Sequence, residues 1–294
     1  MRTNRTYNKT KAILLIVLTS IMVCVANSSK SSISKIGYPF VSNYKTDSYR
    51  GHPQNWGAIQ DRGGLMFFAN GNGVLIYDGN KWDIIELPSK NAARAFGETA
   101  NGTIYTGGTN EIGFLQPTNN GKIEFISLID SLGLNEFGTI REILTSEDCV
   151  YFRSSEYLIR LCKTGFSYWK AKSTFSIIFF FNKELYVEDE RFGLFKVAND
   201  SLILAPSGTD FINKDFHFAK QLNNKAILAN RIKGLYSYEP DAEKSNRLNH
   251  IESDANPTLI NNFVYCGVIS KNGDIILGTN SGGCVVVNEN GEIL

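Results

Sequence analysis

Six residues recur at one equivalent position of a repeated pattern, about eight residues before a tight turn. They are two arginines, two aromatic residues, a histidine and a serine: Trp56, Arg94, Arg141, Ser176, His217 and Tyr265. Arginine guanidinium groups bind carboxylate or sulfate through paired hydrogen bonds. Aromatic faces stack on the apolar C–H faces of sugar rings. If the fold brings these side chains together, they predict a site for a sugar or an anionic ligand. The alternative is that they only tie neighbouring repeats together.

The other reactive residue types form no recognisable catalytic or metal-binding arrangement. His52, His217 and His250 lack the spacing of a metal site and are predicted to be ordinary surface or hydrogen-bonding histidines. The acidic run at 188–190 lacks the regular ligand ladder of a calcium loop, so we expect a solvated loop. No GxSxG nucleophile motif occurs. The sequence therefore predicts no catalytic residue, no metal and no cofactor, and a protein that is not an enzyme.

The composition excludes some broad classes of function. The 294 residues include 30 basic and 29 acidic side chains, a balance unlike that of a polycation built for nucleic acid. Hydrophobic residues make up 43% and aromatic residues 12%, which argues against disorder throughout the chain. The 26 glycines against only 7 prolines favour many tight turns over long linkers.

An internal repeat must position the six candidate residues. Each copy has a turn, a strand of about four residues, a short polar stretch and a second apolar strand. The second strands are anchored at Gly73, Gly113, about Tyr157, Gly193, Gly234 and Gly283, at spacings of roughly 36 to 49 residues. A third strand precedes each turn, and a fourth follows in several copies, for example Asp83–Leu87, Ile123–Leu128 and Ser201–Leu204.

Four short antiparallel strands in each 40-odd residues are typical of the blade of a β-propeller. One blade cannot bury its own faces, so blades stack around an axis and bury each other. An α/β fold would need helical periodicity between strands, and a two-sheet sandwich would not need a repeat of this length. We therefore predict an all-β propeller of four-stranded blades over residues 54–294, with about six blades present of a probable seven.

The N-terminus is typical of an export signal. Four basic residues precede an apolar run of fifteen residues, Ala12–Ala26. This run is short for a bilayer span of about 20 residues and suits a signal peptide. We predict a signal peptide or an uncleaved N-terminal anchor helix at 1–26 and a lead-in segment at 27–53. Without the first 26 residues the chain holds 26 basic and 29 acidic residues, a net charge of −3.

The cysteines leave two interpretations open. Cys149 and Cys162 lie near mirror positions about a tight turn at 154–156, so a cross-strand disulfide is geometrically possible. The favoured interpretation is that they are small buried hydrophobic residues. No CxxC pair occurs, so the sequence gives no support to a zinc site.

Three stretches carry a family resemblance. Residues 54–83 read QNWGAIQDRGGLMFFANGNGVLIYDGNKWD, and this stretch, together with 37–52 and 101–117, resembles the sensor regions of Bacteroidetes envelope regulators with two-component-regulator propeller repeats. The resemblance implies a seven-bladed propeller outside the inner membrane. In that family a three-tyrosine domain, a transmembrane helix and a histidine kinase or helix-turn-helix output usually follow. Family members typically sense extracellular nutrients, often glycans.

The resemblance implies an exported sensor propeller, periplasmic or anchored in the inner membrane facing the periplasm. Only six repeats are legible, and no stretch resembles a three-tyrosine domain, a kinase or a DNA-binding module, so we expect the sensor portion without its own output. The implied partners are a saccharide or other small nutrient, and a three-tyrosine or output domain on a separate or lost segment. No nucleic acid is expected to bind through this chain. The alternatives are a non-catalytic protein-interaction propeller, a non-functional fragment or, less favoured, an exported propeller enzyme.

Overall fold

The computed structural model describes residues 41–198 and 200–294. The predicted signal or anchor at 1–26 and most of the lead-in fall outside these residues. A short helix, α1 (Thr46–Tyr49), precedes the first strand. Six antiparallel sheets then follow in chain order, which confirms an all-β propeller with six blades. A seventh blade is not seen among the described residues.

Blades 1 to 3 each have four strands in up-and-down order. Blade 1 consists of β1 (Asn55–Gln60), β2 (Met66–Asn70), β3 (Gly73–Tyr77) and β4 (Trp82–Ile85). Blade 2 consists of β5 (Ala95–Glu98), β6 (Ile104–Gly108), β7 (Glu111–Pro117) and β8 (Ile123–Ser127), followed by a short helix α2 (Ile129–Leu132). Blade 3 consists of β9 (Glu142–Thr145), β10 (Cys149–Arg153), β11 (Tyr157–Cys162) and β12 (Gly165–Lys170).

Blades 4 and 5 repeat this four-stranded order, whereas blade 6 has three strands among the described residues, one fewer than predicted. Blade 4 consists of β13 (Phe175–Phe181), β14 (Glu184–Asp189), β15 (Gly193–Ala198) and β16 (Ser201–Leu204), followed by a 3₁₀ turn at Gly208–Phe211. Blade 5 consists of β17 (Phe216–Leu222), β18 (Lys225–Asn230), β19 (Gly234–Tyr238) and β20 (Leu248–His250), with a 3₁₀ turn at Lys244–Asn246 before β20. Blade 6 consists of β21 (Val264–Ile269), β22 (Ile275–Thr279) and β23 (Cys284–Val287), and α3 (Asn256–Asn261) leads into it.

Neighbouring blades are joined by buried apolar clusters, one at each of the five junctions from blade 1–2 to blade 5–6. The strand β13 shows how a single strand serves two junctions. Its Ile177 and Phe179 pack toward blade 5, whereas Phe175 and Ile178 pack toward blade 3. Both faces of this strand are therefore buried, which explains its nearly continuous apolar sequence.

A disulfide joins Cys149 to Cys162, so the favoured prediction of two free buried cysteines is wrong. The two residues lie directly opposite each other in the β10–β11 hairpin, with their Cα atoms 4.3 Å apart. This register, which depends on the exact length of the turn, brings the two side chains into contact. Cys266 and Cys284 are free and exposed.

In the part of the chain that the structure describes, no helix has the length and apolar character needed to cross a bilayer.

Candidate functional site

A central cavity of about 720 Å³ opens among the innermost strands. It is lined by all six residues that the repeat register predicts: Trp56, Arg94, Arg141, Ser176, His217 and Tyr265. They come from six different blades, and each lies at or just before the start of its innermost strand. The fold therefore brings the six side chains together at one mouth of the propeller. Whether they bind a ligand remains a prediction.

A recurring irregularity in the strands presents these side chains to the cavity. In four blades the innermost strand carries one extra residue relative to its partner strand, a β-bulge. The bulges fall between Asn55 and Gly57, Phe175 and Ile178, Phe216 and Phe218, and Val264 and Cys266. Trp56, Ser176, His217 and Tyr265 lie inside them. A bulge re-aims a side chain that regular alternation would direct against the neighbouring blade.

The two arginines occupy the same position in blades 2 and 3. The backbone N–H of Arg94 donates to Gly107 O at 2.8 Å, although Gly107 is already opposite Ala95. In the same way, the N–H of Arg141 donates to Arg153 O at 2.8 Å, and Arg153 is opposite Glu142. In blades 2 and 3 the residue before the strand thus makes one additional backbone hydrogen bond at the position where the other four blades have a bulge. A bulge of this kind needs no glycine, so nothing in the sequence indicates where a bulge occurs.

One side of the cavity is cationic and aromatic. The guanidinium carbon of Arg94 lies 3.8 Å from the centre of the Trp56 ring, which is a cation–π contact. Burial and the nearby charge of Arg141 lower the pKa of Arg94, whereas Tyr265 raises it. Within residues 41–198 and 200–294, neither arginine side chain has an ion-pair or hydrogen-bond partner. Two like charges therefore face the cavity with their N–H donors available to an anion.

A buried ion pair lies at the junction of blades 3 and 4. Arg153 Nε lies 3.2 Å from Glu142 Oε2, and Arg153 Nη1 donates to Phe175 O at 3.1 Å. Burial raises the pKa of Glu142, although Arg153 and a hydrogen bond from Ile178 N–H oppose the shift. The Glu142 side chain keeps 31% of its surface accessible, and it lines the cavity. Because it neutralises Arg153, it leaves Arg94 and Arg141 unpaired.

The opposite side of the cavity, on blades 4 and 5, holds acids and a histidine together with two further cations, Lys220 and Arg231. His217 Nε2 and Asp215 Oδ1 are 2.8 Å apart. Burial lowers the pKa of His217, although Asp215 opposes this, and the imidazole is therefore neutral at pH 7. Ser176 Oγ donates to Glu188 Oε2 at 2.7 Å.

Glu188 is only 1% exposed, and its Oε1 has no hydrogen-bond partner among the described residues. Burial raises its pKa to about 8, and the charges of Asp215 and Glu190 add to the shift, whereas the hydrogen bond from Ser176 opposes it. Asp189 is also buried and accepts hydrogen bonds from Ser173 Oγ and from the N–H of Lys172. The prediction of a solvated loop at 188–190 is therefore wrong for these two residues, which end β14.

The remaining histidines lie away from this cavity. His52 N–H donates to Asn70 Oδ1, and His250 contacts Glu252 Oε1 and Lys233 O. Within the described chain, no three His, Cys, Asp or Glu side chains are close enough together to hold a metal ion.

Comparisons with known proteins agree on the fold. No family model and no curated protein sequence matches this chain. Virginiamycin B lyase from Staphylococcus aureus is 13% identical, with 85% of each chain covered and a TM-score of 0.61. The WD40 β-propeller domain of Doa1 is 14% identical, with 83% of this chain and 82% of that chain covered and a TM-score of 0.62.

A third similar structure is the extracellular domain of the two-component system BT4673 from B. thetaiotaomicron. It is 16% identical, with a TM-score of 0.50, and the match covers 79% of this chain and 37% of that one. The structural neighbours thus include a propeller-containing extracellular domain of a two-component system alongside other propellers. At these identities the likeness shows the fold alone.

The sequence-based prediction that the chain is not an enzyme is contradicted. The six residues that the repeat places at the starts of the inner strands include one histidine and no carboxylate. The cavity in fact also contains Glu142, Glu190 and Asp215. The repeat identifies only one residue in each blade, so it could not reveal these three acids. The fold is moreover shared with a lyase. The architecture therefore gives no ground for excluding catalysis.

Proposed function

We propose that this chain is the ligand-binding module of an extracytoplasmic sensor and that its central cavity binds a small anionic saccharide. The observation that carries this proposal is the pair of cavity-facing guanidinium groups, Arg94 and Arg141, which lack an acidic partner in the described chain. Such a pair is costly to hold together and becomes favourable when a carboxylate or sulfate binds between them. Tyr265, which is exposed and lines the cavity, supplies an aromatic face for the sugar ring, whereas Trp56 stacks on the guanidinium of Arg94 and holds it at the cavity.

Three features support an extracytoplasmic location. The N-terminal sequence is typical of a signal peptide or anchor, and disulfides such as Cys149–Cys162 persist in oxidising compartments. One structural neighbour is an extracellular domain. In this proposal residues 1–26 direct export or anchor the chain, 27–53 lead into the propeller and 54–294 bind the ligand. A three-tyrosine or output domain on another segment would receive the signal.

Isothermal titration with matched charged and neutral sugars tests the proposal. The probes are galacturonate and glucuronate mono- and disaccharides, their sulfated counterparts, and neutral galactose and glucose equivalents. We expect binding to the charged forms only. Hydrogen bonds to charged groups contribute about 1.5–3 kcal/mol, so R94A and R141A should each weaken binding by roughly tenfold to a hundredfold.

Lys183→Ala is the matched control, since Lys183 is an exposed cation in the turn between β13 and β14, away from the cavity. Its affinity should equal that of the unaltered protein. Equal affinity for charged and neutral sugars, or unchanged affinity in both arginine variants, would remove the anion-binding assignment.

A further inference from the structure

We propose that the cavity also catalyses β-elimination on a 4-linked uronate, with His217 as the base and the hydroxyl of Ser176, backed by Glu188, as the acid. The inference rests on the proposed function, because Arg94 and Arg141 must hold the substrate carboxylate. It adds a reaction to what would otherwise be a binding site.

The base is positioned by a neighbouring carboxylate. Asp215 Oδ1 lies 2.8 Å from His217 Nε2, so the proton of the neutral imidazole lies on Nε2 and the lone pair on Nδ1. Nδ1 has no hydrogen-bond partner among the described residues, and the His217 ring lines the cavity. A carboxylate that fixes the tautomer and stabilises the imidazolium is the usual arrangement of a catalytic histidine.

The acid is a buried carboxyl group that reaches the cavity through a hydroxyl. Ser176 lines the cavity, and its Oγ lies 2.7 Å from Glu188 Oε2. Glu188 is buried, with Oε1 unpartnered, so the protonated form is favoured there. Its pKa of about 8 keeps the proton on the carboxyl group at neutral pH. In the structure the Ser176 hydroxyl donates to Glu188 Oε2, so the transfer requires that hydroxyl to turn to the departing oxygen and to accept the Glu188 proton instead. Glu188 is thus a positioning residue that supplies a proton through Ser176.

The two groups lie on neighbouring blades and are held in opposite protonation states. The charged groups that face Glu188 are Asp215, Glu190 and Arg153. Those that face His217 are Asp215, Arg231 and Arg153. At neutral pH the histidine lacks the proton and the glutamic acid keeps it. Titratable groups whose surroundings separate their pKa values in this way are the signature of an acid–base pair.

The reaction balances without water or an oxidant. His217 Nδ1 takes the C5 proton of the uronate, whose acidity the carboxylate provides. The electron pair of that C–H bond forms the C4=C5 double bond while the C4–O bond breaks. Ser176 Oγ–H protonates the departing oxygen and regains a proton from Glu188. Negative charge that builds on the carboxylate during proton removal is stabilised by Arg94 and Arg141. Solvent then takes the proton from His217, and the enclosed Glu188 regains a proton through Ser176.

The experiment incubates the full chain with 4-linked galacturonate and glucuronate oligomers and records the ultraviolet absorbance of the unsaturated product. Mass spectrometry should show fragments whose masses add up to that of the substrate, with no water added. H217Q should lower kcat by about a hundredfold or more, because general base catalysis contributes that much. D215N should lower kcat with little change in KM. H250Q is the control, because His250 lies outside the cavity and should leave the rate unchanged.

The pH profile tests the role of Glu188. The rate should be bell-shaped, falling on the acid side as His217 gains a proton and above about pH 8 as Glu188 loses one. E188Q should lower kcat and abolish the fall above pH 8, and S176A should lower kcat similarly. Saturable binding of the oligomers without unsaturated product overturns the elimination and leaves the binding proposal standing. Failure of both charged oligomers to bind overturns the elimination, and the titrations with sulfated sugars then decide the binding proposal by themselves. Turnover that is unchanged in H217Q overturns the assignment of the base.

Discussion

At the scale of single residues, burial rather than sequence position sets the character of the cavity. Glu188 belongs to an acidic run that looks solvated in sequence, yet it is enclosed at the end of β14 with Asp215 and Glu190 nearby. An isolated carboxylate is expensive to bury, so the proton is retained instead. The same enclosure lowers the pKa of His217. The sequence could name His217 because it begins an inner strand, whereas Glu188 ends the second strand and falls outside that register.

Glu188 should make the fold less stable as the pH rises. Its pKa is raised from 4.5 to about 8 in the folded state, so between these values the folded chain binds a proton that the unfolded chain has released. Stability is therefore lost progressively through this interval. Each pKa unit corresponds to about 1.4 kcal/mol, so the loss amounts to a few kcal/mol.

Glu188→Gln removes this loss. The melting temperature of the variant relative to that of the unaltered protein should rise as the pH increases from below 5 to above 8. Glu184→Gln, an exposed position on the same strand, is the control and should show no such trend. A constant difference across the interval would show that Glu188 ionises normally in the folded protein.

At the scale of the strand, the repeat glycines explain why the period could be recognised. Gly193 opens the third strand of blade 4 with φ +97°, and a Cβ atom there would lie 2.3 Å from Gly208 O. Gly73 has the same relation to Ile85 O in blade 1, at 2.2 Å. Where the third strand begins in these two blades, the backbone of the fourth strand, or of the loop that follows it, lies too close for a side chain to fit. In blades 1 and 4 the glycine is thus a packing requirement, whereas an added Cβ at Gly283 of blade 6 would meet nothing within 4 Å.

Gly193→Ala should be strongly destabilising. Left-handed backbone costs a residue with a Cβ about 1–2 kcal/mol, and the steric clash adds about 1–3 kcal/mol. Gly64→Ala is the matched control, because its φ is +92° and nothing lies within 4 Å of the added Cβ. Chemical denaturation should show the larger loss for Gly193. Equal losses would mean that the backbone moves freely around Gly193.

The Cys149–Cys162 disulfide closes a hairpin whose ends are 13 residues apart. Closing a loop of this length is expected to stabilise the fold by about 3 kcal/mol. The double variant C149S/C162S should therefore unfold at lower denaturant concentration. The control C266S/C284S alters the two exposed thiols and should not shift the midpoint. A midpoint that reductant leaves unchanged in the unaltered protein would contradict the stabilising role.

The existence of the innermost strands was predictable, because the repeat requires a strand before each turn. The strands β13 and β21 (Val264–Ile269) lie where that pattern expects them, although both contain a bulge. The strand β20 (Leu248–His250) is not among the fourth strands that the sequence predicts, because it has only three residues and a single aliphatic side chain. The sequence missed the bulges, because an extra residue in a strand has no compositional signature. The six cavity residues were nevertheless found, since the period located the start of each inner strand.

At the scale of the whole molecule, the apolar packing between neighbouring blades differs from one junction to another. Buried clusters occupy the five junctions from blade 1–2 to blade 5–6, and among residues 41–198 and 200–294 no such cluster joins blade 6 to blade 1. Blade 6 consequently has two different faces. Leu277 and Val287 are fully buried against blade 5, whereas Cys266, Val268 and Cys284 on the other face are exposed. The 40-residue period reveals the number of blades, but it does not reveal which junction is left without an apolar core.

Paired substitutions on β21 and β22 test this asymmetry. Val268 is 52% exposed and Leu277 is fully buried, although the two residues lie on adjacent paired strands only one register step apart. Val268→Lys places its charge in solvent and should change the free energy of unfolding by no more than about 0.5 kcal/mol. Leu277→Lys buries an unpaired ammonium group in the core between blades 5 and 6 and should prevent stable folding. Circular dichroism and denaturant titration measure both effects. Comparable destabilisation by the two lysines would show that the second face of blade 6 is covered in solution, so the asymmetry of the blades would have to be abandoned.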